Sequence, residues 1–181
     1  MPPQQQDTIA SGAESIRLGA ALAQVAISTT ATMYRLPYYQ MFSMGSRALG
    51  PIKGAGALMI YPAIVSAAPP TTREGFLLAT WGWQALAVLL VVQWVGSLFS
   101  GRHSRFIGQS YLPSSLAEAA FALGSAALAW PFCQGVAYAV AIGWLASELD
   151  IFLIKARLHR TAAIIRDSRM EAEQLQGYIE E

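Results

Sequence analysis

Gly75 to Ser100 reads GFLLATWGWQALAVLLVVQWVGSLFS and carries no charged side chain. At a rise of about 1.5 Å per residue, a helix over this run is about 39 Å long, enough to cross a hydrocarbon layer of about 30 Å with room for tilt. A soluble fold would have to wrap such a helix on every side, because it offers water no polar face. Trp81 and Trp83 lie toward one end and Trp94 toward the other, as expected of rings that settle at two headgroup levels. Thr71 and Glu74, three residues apart just before the run, have the spacing of a capping box.

The rest of the chain is consistent with that solvent. Of 181 residues, 54% are hydrophobic and 13% charged, against about 25% charged in a typical soluble domain. A soluble bundle with an Ala-rich core is the competing reading. The net charge of +1 conceals basic clusters separated by nearly charge-free runs, a pattern that speaks to topology and not to nucleic-acid binding. The single cysteine, Cys133, excludes an intrachain disulfide and a Cys-based zinc site. Met1–Ala10 is polar and Gln-rich, without the basic and apolar regions of a cleavable signal peptide.

Further candidate spans flank the strong one. Gly54–Pro70 is apolar but interrupted by Pro62, which should kink it. After a basic loop carrying Arg102, His103 and Arg105, Ser115 and Glu118 form a second capping box and open an Ala-rich helix that runs to Pro131. Gly135 then starts a return helix to Ile154, closing a tight hairpin. Upstream, Ser11–Glu14 is a third capping box, and Ala13–Tyr34 reads as a helix that stops before Pro37. The stretch Met33–Met44 suits the membrane interface.

Charge counting selects among these segments. If 54–70 crosses and 13–34 does not, all twelve Lys and Arg residues but Arg73 lie on one side, the bias of cytoplasmic loops. The expectation is therefore an all-α, polytopic, multi-pass inner-membrane protein with both termini cytoplasmic. It has four transmembrane helices (54–70, 75–100, 115–131 and 135–154), with five as the alternative. The expected units are an N-terminal cytoplasmic region with an interfacial helix (1–53), the transmembrane domain (54–154) and a C-terminal amphipathic tail helix (155–181). In the tail, Ile151, Leu158, Ile165, Ala172 and Ile179 recur every seven residues. Lys155, Arg157 and Arg160 lie nearest the membrane, where they would contact anionic lipid headgroups.

Two constellations stand out inside the spans. Gly135, Ala139, Gly143 and Ser147 recur every four residues, a small-residue ridge along which helix backbones approach closely, and Ala120 with Gly124 offer a matching groove on the preceding helix. Glu118, Glu148 and Asp150 are the carboxylates near the hydrocarbon boundary, where ionisable groups are costly and mark either ion pairs or ion paths. Asp150 falls within the arc of the ridge, so a salt bridge to Arg102 or Arg105 is the expected arrangement. Gln84 and Gln93 fall on nearly opposite faces of the strong span.

His103 and His159 lack the spacing of a carboxylate metal site, and no nucleophilic triad, phosphate loop or dinucleotide fingerprint is present. The chain is thus expected to be no enzyme and to need no cofactor. The favoured role is a membrane scaffold or accessory subunit that self-associates or joins other membrane subunits in the lipid bilayer. The alternatives are a small transporter or channel using Asp150, Glu148 and Glu118, and a membrane subunit of a secretion, conjugation or envelope apparatus.

Overall fold

The computed structural model describes residues 3–39, 51–99, 110–112 and 114–180, and of residues 3–13, 51, 98 and 171–180 the backbone alone. Five helices make up nearly all of it: α1 (Pro3–Tyr38), α2 (Pro51–Ala67), α3 (Arg73–Phe99), α4 (Ser115–Ala129) and α5 (Gln134–Glu180). Outside them, a single antiparallel bridge among the described residues joins Tyr39, just past the end of α1, to Ser110.

The helices pack as two hairpins with α1 laid against both. In the first hairpin α2 turns through Ala68–Thr72 into α3, whose first free N–H groups are met by Thr72: its hydroxyl accepts from the Gly75 amide at 3.1 Å. The cap is thus Thr72 and not Thr71. Pro62 lies inside α2 without ending it. A proline lacks the N–H that would bond the carbonyl four residues back, here that of Leu58, and the Trp83 indole of α3 donates to the Leu58 oxygen at 3.0 Å. The hydrogen bond lost along α2 is replaced by one across the hairpin. One turn on, the Tyr61 hydroxyl donates to the Ala79 carbonyl at 3.2 Å.

In the second hairpin, Phe132 and Cys133 both donate their amides to the Ala129 carbonyl, at 3.1 and 2.8 Å, which tightens the end of α4 and turns the chain into α5. Trp130 and Tyr138 meet edge to face across this turn. The N-cap of α4 is Ser114, whose hydroxyl accepts from the Ala117 amide at 3.2 Å. Ser115 is already helical, so the Ser115–Glu118 box does not form and Glu118 turns inward. Helix α1 lies antiparallel to α5, with Tyr34 at Gly143, Arg35 at Ser147 and Asp150, and Gln24 at Arg157. It continues through Pro37 because the proline sits in its last turn, where one missing N–H interrupts little.

The core lies where α1, α2, α3 and α5 converge, around Met33, Leu36, Ala57, Tyr61, Leu86 and Val136. Outside it, large apolar side chains face outward on every helix, including Leu22, Met59, Val88, Leu128 and Ile142.

The expectation of four or five transmembrane spans does not hold. Among the described residues, two helices are long and apolar enough to qualify, Arg73–Ser97 within α3 and Gln134–Met170 within α5. The other two candidates are too short. Helix α2 has 17 residues and ends before Pro69-Pro70, and α4 has 15 residues between its Ser114 cap and the turn at Trp130. At about 1.5 Å per residue these reach about 25 and 22 Å, short of a hydrocarbon core of about 30 Å. A multi-pass inner-membrane topology with both termini cytoplasmic falls with them, because assigning charges to sides requires knowing how many times the chain crosses. The protein is a mostly helical bundle with two apolar helices suited either to associate with a membrane or to pack against other helices.

Candidate functional site

The polar centre of the bundle is built on Arg35. Ser28, Thr32, Arg35 and Tyr39 follow one another at three- or four-residue steps, which puts them on one face of α1, and all are buried. That face meets α5. The Arg35 guanidinium donates from Nη1 to Oδ2 of Asp150 at 2.7 Å, from Nε to Oγ of Ser147 at 3.0 Å, and from Nη2 to the Ser147 carbonyl at 3.0 Å. The two charged side chains are 4% and 3% exposed. The ring of Tyr39 lies 5.9 Å from the guanidinium carbon, within range of a cation–π contact. Such a planar fork fixes both the rotation of α1 about its axis and its register along α5.

The small-residue ridge makes this approach feasible. Gly143 faces α1, and a Cβ added there would lie 2.9 Å from the Tyr34 Cβ; at Gly135 it would lie 2.6 and 2.7 Å from the Val65 and Ala68 carbonyl oxygens at the end of α2. Ala139 and Ser147 are each 1% exposed. The ridge therefore receives α1 and α2, whereas Ala120 and Gly124 face outward from α4, with nothing within contact of Gly124. Arg102 and Arg105, the expected partners of Asp150, lie outside the described residues; Asp150 is instead paired with Arg35. Lys155, Arg157 and Arg160 are exposed on the projecting part of α5. Gln93 is fully buried, while Gln84 is exposed on the other side of α3.

Beside the ion pair lies a second polar cluster. Glu118 of α4 is 6% exposed and Tyr34 of α1 is 2% exposed; among the described residues neither Oε1 of Glu118 nor the Tyr34 hydroxyl has a hydrogen-bond partner, although the two side chains are near enough to interact. Burial, followed by the charge of the half-buried Glu148, pushes the Glu118 carboxyl above the usual carboxylate range. Tyr34 stacks on Tyr38 with ring centroids 4.4 Å apart, and Tyr38 meets Phe121 of α4 edge-on.

Where α1 stops, the bundle leaves an apolar cavity of about 190 Å³ bounded by Pro37 and Tyr38, Tyr61, Leu86 and Leu89, and Ala139. Among the described residues, no group of three or more His, Cys, Asp or Glu side chains is placed to hold a metal ion.

Arg35 escaped the sequence reading, which assigned its stretch to the membrane interface. A signal was present in the i, i+4, i+7 spacing of Ser28, Thr32 and Arg35, which puts a polar stripe on one face of α1 opposite the one carrying Ser147 and Asp150. Fold and centre together define an all-α bundle whose first and last helices are locked by a buried ion pair. No protein-family model, curated protein or solved structure matches the chain, and the class rests on the helices and the ion pair themselves.

Proposed function

We propose that this protein is a non-catalytic membrane scaffold or accessory subunit, anchored through α3 and the apolar part of α5, which assembles with copies of itself or with other subunits. The observation that carries this reading is the exposure of its most apolar helices. The qualifying window of α3 is 11% buried and that of α5 is 28% buried, whereas the core helix of a soluble protein is mostly covered by its neighbours. Side chains such as Phe76, Trp81, Val88 and Val91 are left on the outside of α3. An apolar surface of this extent fits lipid or a protein partner better than water.

The far part of α5 supports the assembly role. The far part remains helical to Glu180, and Leu158, Ile164 and Ile165 are exposed there, so these three apolar side chains have no cover among the described residues. Lys155, Arg157 and Arg160 on the same segment suit anionic headgroups or an acidic partner surface. The pairing of Asp150 with Arg35 favours a structural role for this carboxylate over ion handling, because a carboxylate already neutralised by a buried guanidinium is a poor ion-binding station.

The test is native purification in a mild detergent, with mass measurement of the full chain and of a chain ending at Ile154. The full chain is expected in an oligomer or a larger complex that the truncation weakens. A full chain that stays monomeric and unaccompanied, together with a truncation of no consequence, overturns the assembly role.

A further inference from the structure

We propose that Glu118 and Tyr34 form a proton-binding site, in which the Glu118 carboxyl holds a dissociable proton at neutral pH and donates it to the Tyr34 hydroxyl oxygen. The site lies inside the bundle and does not depend on lipid around it. Four observations carry the proposal.

Glu118 is not consumed by helix capping, since Ser114 caps α4 and the Glu118 side chain is 6% exposed. Its Oε1 has no partner, and an ionised carboxylate with an unsatisfied buried oxygen is strongly disfavoured. The cation at hand cannot neutralise it: Arg35 is committed to Asp150 and to both the hydroxyl and the carbonyl of Ser147. The Tyr34 hydroxyl, itself 2% exposed and without a partner among the described residues, is the second open atom, within reach of the first. The phenol O–H can bond an ionised carboxylate as readily as its oxygen accepts from the acid, and it is the burial of the carboxyl with Glu148 beside it that selects the neutral acid as donor.

The remaining groups facing Glu118 divide, and burial together with Glu148 outweighs those that favour the charged form. Glu148, from α5, is a second carboxylate whose charge opposes ionisation; the hydroxyl of Ser110, from the segment paired with Tyr39, and the charge of Arg35 favour the carboxylate, but by less than burial and Glu148 oppose it. From α1, Tyr38 and Tyr39 add further phenols around Tyr34. Loss of the proton to water would leave a carboxylate facing Glu148 at the seam where α4 meets α1 and α5. Proton release is thereby coupled to loosening of α4. The sign follows: native Glu118 keeps its proton to higher pH than the unfolded chain does, so stability is greatest below the ordinary carboxylate range and declines as pH rises through the folded value.

The test is infrared spectroscopy of the full chain across pH, in light and heavy water. At pH 7 the protein is expected to show a protonated-carboxyl band that shifts on deuteration and is missing from Glu118→Gln, while Glu14→Gln, an exposed control, retains it. Glu118→Gln mimics the neutral acid and should also flatten the decline of stability with pH. Should that variant fail to fold, Tyr34→Phe serves instead, with the band kept but displaced because its acceptor is gone. No band at pH 7, a band that survives in Glu118→Gln, or a band unmoved in Tyr34→Phe overturns the proposal. So does a band that emerges at pH 7 only after sodium and potassium are removed, which would make the ligand a metal cation.

Discussion

Replacing Asp150 by Asn tests how much the α1–α5 lock contributes. The substitution keeps the side-chain volume and removes one charge, leaving a guanidinium that is 4% exposed opposite a neutral amide. At 2.7 Å the attraction removed is about 6 kcal/mol for an effective dielectric constant of about 20. Much of it is offset by the cost of desolvating both groups in the intact protein. Arg35 cannot swing out to water at no cost, because two of its N–H groups are held by Ser147. The net loss should therefore fall in the range of about 3–5 kcal/mol found when one member of a buried pair is removed. Denaturant unfolding of the full chain in detergent, followed by circular dichroism, measures it. The double variant Arg35→Met, Asp150→Leu removes both charges and should recover most of the loss, giving a coupling energy of about 3 kcal/mol or more in the cycle. A single variant costing less than about 1 kcal/mol, as exposed pairs do, or a double variant whose losses simply add, refutes the lock.

Other perturbations probe the surrounding packing. Gly135→Ala sets a methyl group against two carbonyl oxygens of α2, where a flexible side chain cannot give way, and should cost about 1–3 kcal/mol or more in the same unfolding assay; a neutral result would mean that α2 and α5 do not approach as described. Trp83→Phe should cost about 1–3 kcal/mol by stranding the Leu58 carbonyl, and distinctly less in a Pro62→Ala background, where the helix supplies its own donor; equal costs in both backgrounds would contradict the replacement of a helical hydrogen bond by the indole. The cavity under the end of α1, near the size of the engineered apolar cavities of about 150 Å³ that take up xenon or benzene, should bind xenon in solution, and Ala139→Leu should abolish that binding; xenon uptake unchanged by the larger side chain would place the gas elsewhere.

Helices were the most legible part of the sequence. The uncharged run after Glu74 and the four-residue spacing of Gly135 to Ser147 both describe helix faces that exist, because periodicity and the absence of charge are local properties. Which face meets which helix was not local. The ridge was matched to Ala120 and Gly124 because they lie on the neighbouring helix in the chain, yet α1, distant in sequence, takes that surface by delivering Arg35 to Asp150. The number of spans was misjudged for a related reason: apolar composition was read as crossing, while Pro69-Pro70 and the turn at Pro131 limit α2 and α4 to lengths that do not reach across. Caps slipped by one residue, from Thr71 to Thr72 and from Ser115 to Ser114, and that single step decided that Glu118 faces inward rather than serving the helix end. Arg102 and Arg105 lie outside the described residues, so the pairing expected of them finds its counterpart only in the partner that Asp150 has.

The central claim, that the exposed apolar faces of α3 and α5 are covered by hydrocarbon, is tested most directly by cysteine labelling in native membranes. In a Cys133→Ala background, cysteines placed one at a time at Val88, Val91 and Ile142 should resist a membrane-impermeant maleimide until detergent is added, while one at His159 reacts. Protein recovered in the soluble fraction after cell breakage, or Val88 and Ile142 positions labelled as fast as His159 in intact membranes, would contradict the claim.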